Sequence, residues 1–137
     1  GHIDSVFGIE FPLHSDTLNT AGSADLIAEW DGEPAIVDFK TSTREKRREW
    51  IENYFIQETA YSLMFAEMYG IRVRKIVTVI VCDTLPRAQV FVEDPINWYP
   101  RVSQIFVKQR DDSKWLPEAL SCLSLSPQQQ SLPRCSV

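Results

Sequence analysis

The sequence predicts an α/β (α+β) domain with a central mixed β-sheet of about five strands flanked by helices. Two observations lead to this class. Short apolar runs with strand-like patterning lie on both sides of one long stretch, residues 53–69, in which apolar residues recur at helical spacing. A second helical stripe follows the last strand-like run. The predicted order β-β-β-α-β-β-α lets the helices cover a sheet.

The first three predicted strands fill the N-terminal third of the chain. Residues 5–13, SVFGIEFPL, alternate as a half-buried strand does, and the polar stretch HSDTLNTA then predicts a loop. Two more runs, within DLIAEWDGEPAIVDFK at 25–40, flank Asp31-Gly32. Asp-Gly favours a two-residue turn, so these runs predict a β-hairpin.

The remaining elements follow a polar, strongly basic connection, KTSTREKRREW. A helix is predicted from about Asn53 to Tyr69, with Gly70 as its natural stop. RKIVTVIVCD predicts a strand buried on both faces, and RAQVFVED predicts a half-buried one. Pro95 is expected to open a second helix, whose apolar stripe is Ile96, Tyr99, Val102, Ile105 and Phe106.

Length and composition limit the possible classes of protein. The 137 residues suit one domain, which we expect over residues 3–115, followed by a mobile Ser/Gln/Pro-rich tail over 116–137. No apolar run is long enough to cross a bilayer. Three cysteines without C-x-x-C spacing argue against a disulfide framework and against zinc or iron–sulfur ligation. We therefore expect an intracellular, cytoplasmic protein.

The hairpin carries charge where a sheet usually buries apolar side chains. With a two-residue turn, Asp25 lies opposite Asp38, and Lys40 projects from the same face. Opposed like charges destabilise a sheet unless a positive group lies between them. A divalent cation with oxygen ligands would satisfy both carboxylates, and an adjacent ammonium would suit a bound phosphate. The alternative is an ordinary solvent-exposed hairpin face.

The predicted central helix adds a second polar pair. Gln57 and Tyr61 are spaced i, i+4, so they share one helical face and can point at one spot. The alternative for Gln57 is an exposed polar residue of the helix surface.

Together these motifs resemble the PD-(D/E)xK nuclease superfamily, and within it the RecB-like exonuclease branch. The branch pattern is G-x-x-D, then D/E-x-K, then Q-x-x-x-Y, which here is Gly22-Ser-Ala-Asp25, Asp38-Phe-Lys40 and Gln57-Glu-Thr-Ala-Tyr61. The run GSADLIAEWDGEPAIVDFKTS looks closest to phage-type and mitochondrial genome-maintenance exonucleases. The resemblance covers roughly residues 5 to 110 and implies a restriction-endonuclease-like core.

The resemblance also implies a set of roles. Asp25, Asp38 and the Phe39 carbonyl would bind Mg²⁺ or Mn²⁺, and Lys40 would position or activate the attacking water. Gln57 and Tyr61 would orient the site or touch the DNA backbone. Family members usually carry a helix before the first strand that supplies another ligand, and this chain starts almost at that strand. Glu10 is a candidate substitute, against an ordinary acid at a strand edge.

The basic residues Arg44, Lys46, Arg47 and Arg48 lie close in sequence to the proposed site. They are either solvated surface or contacts to DNA phosphates, which would make binding sensitive to salt. The expected partner is DNA, as single strands or strand ends, and a homo-oligomer is possible.

The function expected from this sequence is a metal-dependent DNA exonuclease of phage, bacterial or related origin, hydrolysing phosphodiester bonds with a metal-activated water. An endonuclease on the same scaffold is the nearest alternative. A catalytically inactive nucleic-acid-binding or assembly module is an alternative from another class. Relatives with an iron–sulfur cluster are disfavoured because the required cysteines are absent.

Overall fold

A computed structural model describes residues 1–109, with side chains through Phe106. Within these residues, five strands form one sheet in the order β1-β2-β3-β4-β5. All neighbouring strands are antiparallel except β3 and β4, which run parallel. The structure therefore confirms the α+β class, the mixed five-stranded sheet and the predicted element order. The expected tail, residues 116–137, lies outside the described residues, as do residues 110–115.

Strands β1 (Ile3–Ser15) and β2 (Thr20–Trp30) extend well into the stretch predicted as a polar loop. The residues between them form a tight turn in which Leu18 is buried. Glu67 of the central helix holds this turn, because its carboxylate accepts hydrogen bonds from the Ser15 hydroxyl and from the Thr17 amide and hydroxyl. The predicted loop, residues 14–21, is therefore present over residues 16–19 and is two residues shorter at each end, because the strands continue into it.

The hairpin between β2 and β3 (Glu33–Ser42) has the predicted register. Trp30 pairs with Glu33, and the ladder continues as far as Leu26 and Val37. Asp31 and Gly32 both have positive φ, 48° and 82°, as a type I′ turn requires.

The central helix α1 (Glu52–Tyr69) connects the parallel strands β3 and β4 (Lys75–Cys82). It begins one residue before the predicted start and ends where Gly70 adopts a left-handed conformation, with φ 69°. Most of α1 is buried, because it crosses the middle of the sheet. Strand β4 is buried on both faces at its centre, but Val81 near its end is 54% exposed.

The last described elements are β5 (Gln89–Glu93), a 3-10 turn (Pro95–Trp98) and α2 (Tyr99–Gln109). The Asp94 side chain caps the turn by accepting a hydrogen bond from the Ile96 amide. Pro95 thus opens a 3-10 turn, and the second helix begins four residues later than predicted. Of the predicted stripe, Tyr99 and Val102 are buried and Phe106 is partly buried, whereas Ile96 and Ile105 are exposed.

Both described helices contribute to one apolar core on one face of the sheet. This core joins α1 and α2 to strand residues that include Ile36, Ile76 and Ile80. A second cluster on the opposite face, within the described part of the chain, contains strand residues alone: Leu26, Ala28, Trp30, Ala35, Val37 and Val77. The helices therefore do not flank the sheet on both sides over residues 1–109. No helix in this range is long and apolar enough to span a membrane.

Candidate active site

Two carboxylates meet at the helix-covered face of the hairpin. Beyond the last paired residues of β2 and β3, the Asp25 carboxylate accepts a hydrogen bond from the Phe39 amide at 2.9 Å. This bond holds the Asp25 side chain against β3 at the residue that follows Asp38, and Asp25 contributes to the raised pKa of Asp38. Asp38 is buried, with 4% of its surface exposed. The predicted convergence of the two acids on one face is confirmed.

Lys40 lies beside this pair on the same strand. Its Nζ is 2.9 Å from Asp38 Oδ2 and 3.4 Å from Gln57 Oε1. The ammonium also lies over the Tyr54 ring, 4.8 Å from its centroid, where the negative face of the ring attracts a cation. Asp38 Oδ2 is buried and accepts no well-angled hydrogen bond. Lys40 and Asp38 therefore form an ion pair through this oxygen.

The Gln57–Tyr61 pair extends the polar site along α1. Gln57 Nε2 donates to the Tyr61 hydroxyl at 3.0 Å, so a continuous chain of contacts runs from Asp38 through Lys40 to Tyr61. A Cβ atom built on Gly22 would lie 2.8 Å from Tyr61 Cε1, closer than real Cβ contacts. The glycine of the first motif thus leaves space for the tyrosine of the third.

Glu58 is a buried acid behind the site that the sequence analysis missed. It is fully buried on α1, and both of its carboxyl oxygens lie close to the Thr78 hydroxyl, at 2.9 and 2.6 Å. Thr78 pairs in register with Asp38 across β3 and β4. One signal was present in the sequence, because Thr78 is a polar residue inside the apolar run IVTVIV of β4.

Burial shifts the pKa values of the acids at this site. Desolvation, and then hydrogen bonding to Asp25, raises the pKa of Asp38, although Lys40 opposes the shift. Desolvation also raises the pKa of Glu58 to about 8, against the hydrogen bond from Thr78. Burial alone would lower the pKa of Lys40, but the hydrogen bond and charge of Asp38 raise it overall. Lys40 is therefore positively charged at neutral pH.

Tyr61 also has a pKa that is raised from its ordinary value. Its pKa is raised chiefly by desolvation and then by the negative charge of Asp38. The phenol is therefore neutral at physiological pH and acts as a hydrogen-bonding group.

The basic connection forms a short exposed segment after β3, with a 3-10 turn (Arg48–Trp50) at its end. Arg48 is ion-paired with Glu93 and lies over the Phe55 and Phe91 rings. Arg47 lies over the exposed Trp50 ring. The backbone of Lys46 is fixed by two hydrogen bonds to the Gln89 side chain, and the Arg44 side chain is exposed.

Glu10 lies on β1 in a left-handed backbone conformation, with φ 48°, and is exposed. Among residues 1–109, no group of three or more Asp, Glu, His or Cys side chains is arranged to hold a metal ion. Glu58 lies behind Asp38, and a ligand role for Glu10 stays a prediction.

Comparison with known proteins gives a likeness of fold. No protein-family model matches the sequence, and no curated protein matches it. A crystal structure from Eubacterium rectale that bears the name "Putative exonuclease" aligns with 89% of this chain and 46% of its own, at 13% identity and a TM-score of 0.52. The two proteins share a fold.

A second solved structure, that of SSO0001, aligns with 77% of this chain and 52% of its own, at 16% identity and a TM-score of 0.44. The chain thus spans about half the length of the structures it matches.

Proposed function

We propose that this chain is a metal-dependent deoxyribonuclease core that hydrolyses phosphodiester bonds, and that it acts as an exonuclease. The observation that carries the proposal is the convergence of Asp25 and Asp38 with the Lys40 ammonium 2.9 Å from Asp38. A buried carboxylate and a half-buried one beside an ammonium suit a site that binds a cation and a phosphate together. The fold shared with an exonuclease-named protein agrees with this chemistry.

The residues present fit a hard divalent cation such as Mg²⁺ or Mn²⁺. Asp38 Oδ2 is buried without a well-angled hydrogen bond, and Asp25 lies beside it. Oxygen donors of this kind are the ligands that Mg²⁺ prefers, with water completing its coordination. We propose Asp25, Asp38 and the Phe39 carbonyl as the protein ligands. When bound, the metal would polarise a phosphoryl oxygen and lower the pKa of its water.

The chain's own residues have separable roles in this proposal. The Lys40 ammonium lies 2.9 Å from Asp38, where it would position the attacking water and stabilise negative charge on the phosphate. Gln57 holds Lys40 through its carbonyl oxygen and Tyr61 through its amide. This arrangement fixes the ammonium beside Asp38 and presents a neutral phenol to the DNA backbone.

Digestion of end-labelled single- and double-stranded DNA, with Mg²⁺, Mn²⁺ or EDTA present, tests this function. We expect cleavage that requires the metal, and loss of at least 100-fold in rate for Asp38→Ala and Lys40→Ala, because each removes a charge that acts on the reacting phosphate. Release of labelled mononucleotides from one end indicates an exonuclease. Cutting of a closed circular substrate would indicate the endonuclease alternative.

Lys75→Ala is the matched control for Lys40→Ala. Lys75 is also a half-buried strand lysine, with 25% of its side chain exposed against 27% for Lys40, and it also has an acidic partner. We expect it to retain wild-type cleavage. Wild-type cleavage by folded Asp38→Ala would contradict the proposal. Absence of cleavage together with absence of Mn²⁺ binding by calorimetry, with or without a DNA oligomer, would favour the inactive binding module.

A further inference from the structure

A groove lies directly beside the Gln57–Tyr61 pair. It has a volume of about 310 Å³ and is formed by α1, α2 and the start of β2. One face of α1 supplies most of its floor, because residues spaced by three and four line the same side of a helix. Those residues are Asn53, Ile56, Gln57, Ala60, Tyr61 and Met64.

The groove combines apolar surfaces with a polar rim. Ile56, Ala60 and Met64 form a buried floor, and Ile105 and Phe106 of α2 form the opposite wall. Ile105 is 43% exposed, so its side chain is accessible from the groove. Asn53, Gln57 and Thr20 supply hydrogen-bonding groups at the edge. A flat aromatic ring with polar edges matches this surface.

The groove is continuous with the site of the proposed reaction. Gln57 and Tyr61 belong to both, and Gln57 is 3.4 Å from the Lys40 ammonium. A phosphate held at Lys40 would therefore place the attached nucleoside at the mouth of the groove. The volume lies at the lower end of small-molecule pockets, which suits one nucleoside and is too small for a peptide helix.

We propose that this groove is a nucleoside subsite, which holds the base next to the reacting phosphate against Phe106 and the α1 floor. The inference deepens the proposed nuclease function and rests on it for the identity of the ligand. Bases stack on aromatic and apolar side chains without regard to sequence, so the subsite would favour an unpaired base with little sequence preference. It predicts a preference for single strands and strand ends over internal duplex.

Methyl NMR of the full chain tests this subsite without requiring cleavage. The probes are deoxyadenosine 5′-monophosphate and deoxyribose 5-phosphate, which lacks only the base. We expect the nucleotide to shift the methyl signals of Met64, Ile56 and Ile105, and the sugar phosphate to leave them unchanged. Phe106→Ala should weaken nucleotide binding about tenfold.

Asn53→Trp should block the groove. Because Asn53 is exposed on α1, this substitution does not disturb the packing of Phe106 against the core. Asn97→Trp is its control, since Asn97 is an exposed asparagine outside the groove. We expect the first variant to lose nucleotide binding at least tenfold and the second to bind as wild type.

The two proposals fail in different ways. If the nucleotide leaves the methyl signals of the groove unchanged while DNA is still cleaved, the subsite proposal alone is overturned. The groove would then be assigned to another segment of the chain or to a second copy. Methyl shifts that require the base, in a chain that cleaves no DNA, would support the subsite and overturn the nuclease.

Discussion

Gly22 acts in this protein through the space it leaves for Tyr61. Gly22 belongs to the first motif, G-x-x-D, and Tyr61 to the third motif, Q-x-x-x-Y. The two residues are distant in the sequence but in contact in the structure. The Tyr61 ring lies where a side chain at residue 22 would be, and its hydroxyl accepts the Gln57 hydrogen bond. The glycine thus helps to set the polar face of α1.

Gly22→Ala should therefore displace Tyr61 and damage the site. We expect a loss of about 1–3 kcal/mol in the free energy of unfolding, the usual cost of overpacking, together with slower metal-dependent cleavage. Urea unfolding measures the first effect. The double variant Gly22→Ala/Tyr61→Ala should lose less stability than the sum of the losses of the two single variants, because the clash is absent without the Tyr61 ring. Additive costs in this cycle would contradict the steric explanation.

At the scale of the elements, the basic segment 44–48 contains one arginine that packs on the fold and one that is exposed. Arg48 is tied to β5 by Glu93 and packs on two aromatic rings, so its side chain joins the segment to the core. The Arg44 side chain is exposed on the same segment. Both were expected to contact DNA. Contact with DNA remains a prediction for all four basic residues, and the packing of Arg48 gives it a structural role as well.

Substitution of the two arginines should affect stability and DNA binding differently. Arg44→Ala should leave the free energy of unfolding unchanged within about 0.5 kcal/mol. It should weaken DNA binding and lower the slope of log affinity against log salt concentration by about the amount expected for one lost phosphate contact. Arg48→Ala should lower the free energy of unfolding by about 1 kcal/mol. Urea unfolding and oligonucleotide titration at several salt concentrations, with Ca²⁺ in place of Mg²⁺, measure both. An Arg44→Ala variant with wild-type salt dependence would show that Arg44 binds no phosphate.

At the scale of the whole molecule, Glu58 makes the stability depend on pH. Its carboxyl group is buried against Thr78, with Asp38, Asp25 and Lys40 as the charged groups that affect it. Its pKa is about 8 in the folded state, above the 4.5 of a free glutamate. Between these values the folded state binds more protons than the unfolded state, so the free energy of unfolding falls as pH rises.

Glu58→Gln should remove most of this dependence. We expect the wild-type chain to lose stability on the order of a few kcal/mol between pH 5 and pH 8. The variant should lose less, because the amide keeps a hydrogen-bonding partner for Thr78 and carries no charge. Asp38 shifts in the same direction, so the difference between the two proteins isolates Glu58. Parallel pH profiles from urea unfolding would show that Glu58 is ionised in the folded state.

The sequence by itself determined the element order, the hairpin register and which polar residues of the hairpin and of α1 share a face. Strand periodicity and the Asp31-Gly32 turn act locally, and a register fixed by a two-residue turn places Asp25, Asp38 and Lys40 on one face. The pairing of Gln57 with Tyr61 follows in the same way from helical spacing. Each of these depends on residues close in the chain.

Only the tertiary structure decided how distant residues meet. The polar stretch after β1 is ordered because Glu67 reaches it from α1, and Gly22 is needed because the Tyr61 ring lies against it. Glu58 lies behind Asp38 because a parallel crossover sets β4 beside β3. Local patterns carry no information on such packing, since it depends on how the helix crosses the sheet. The groove beside the site arises from the same crossing.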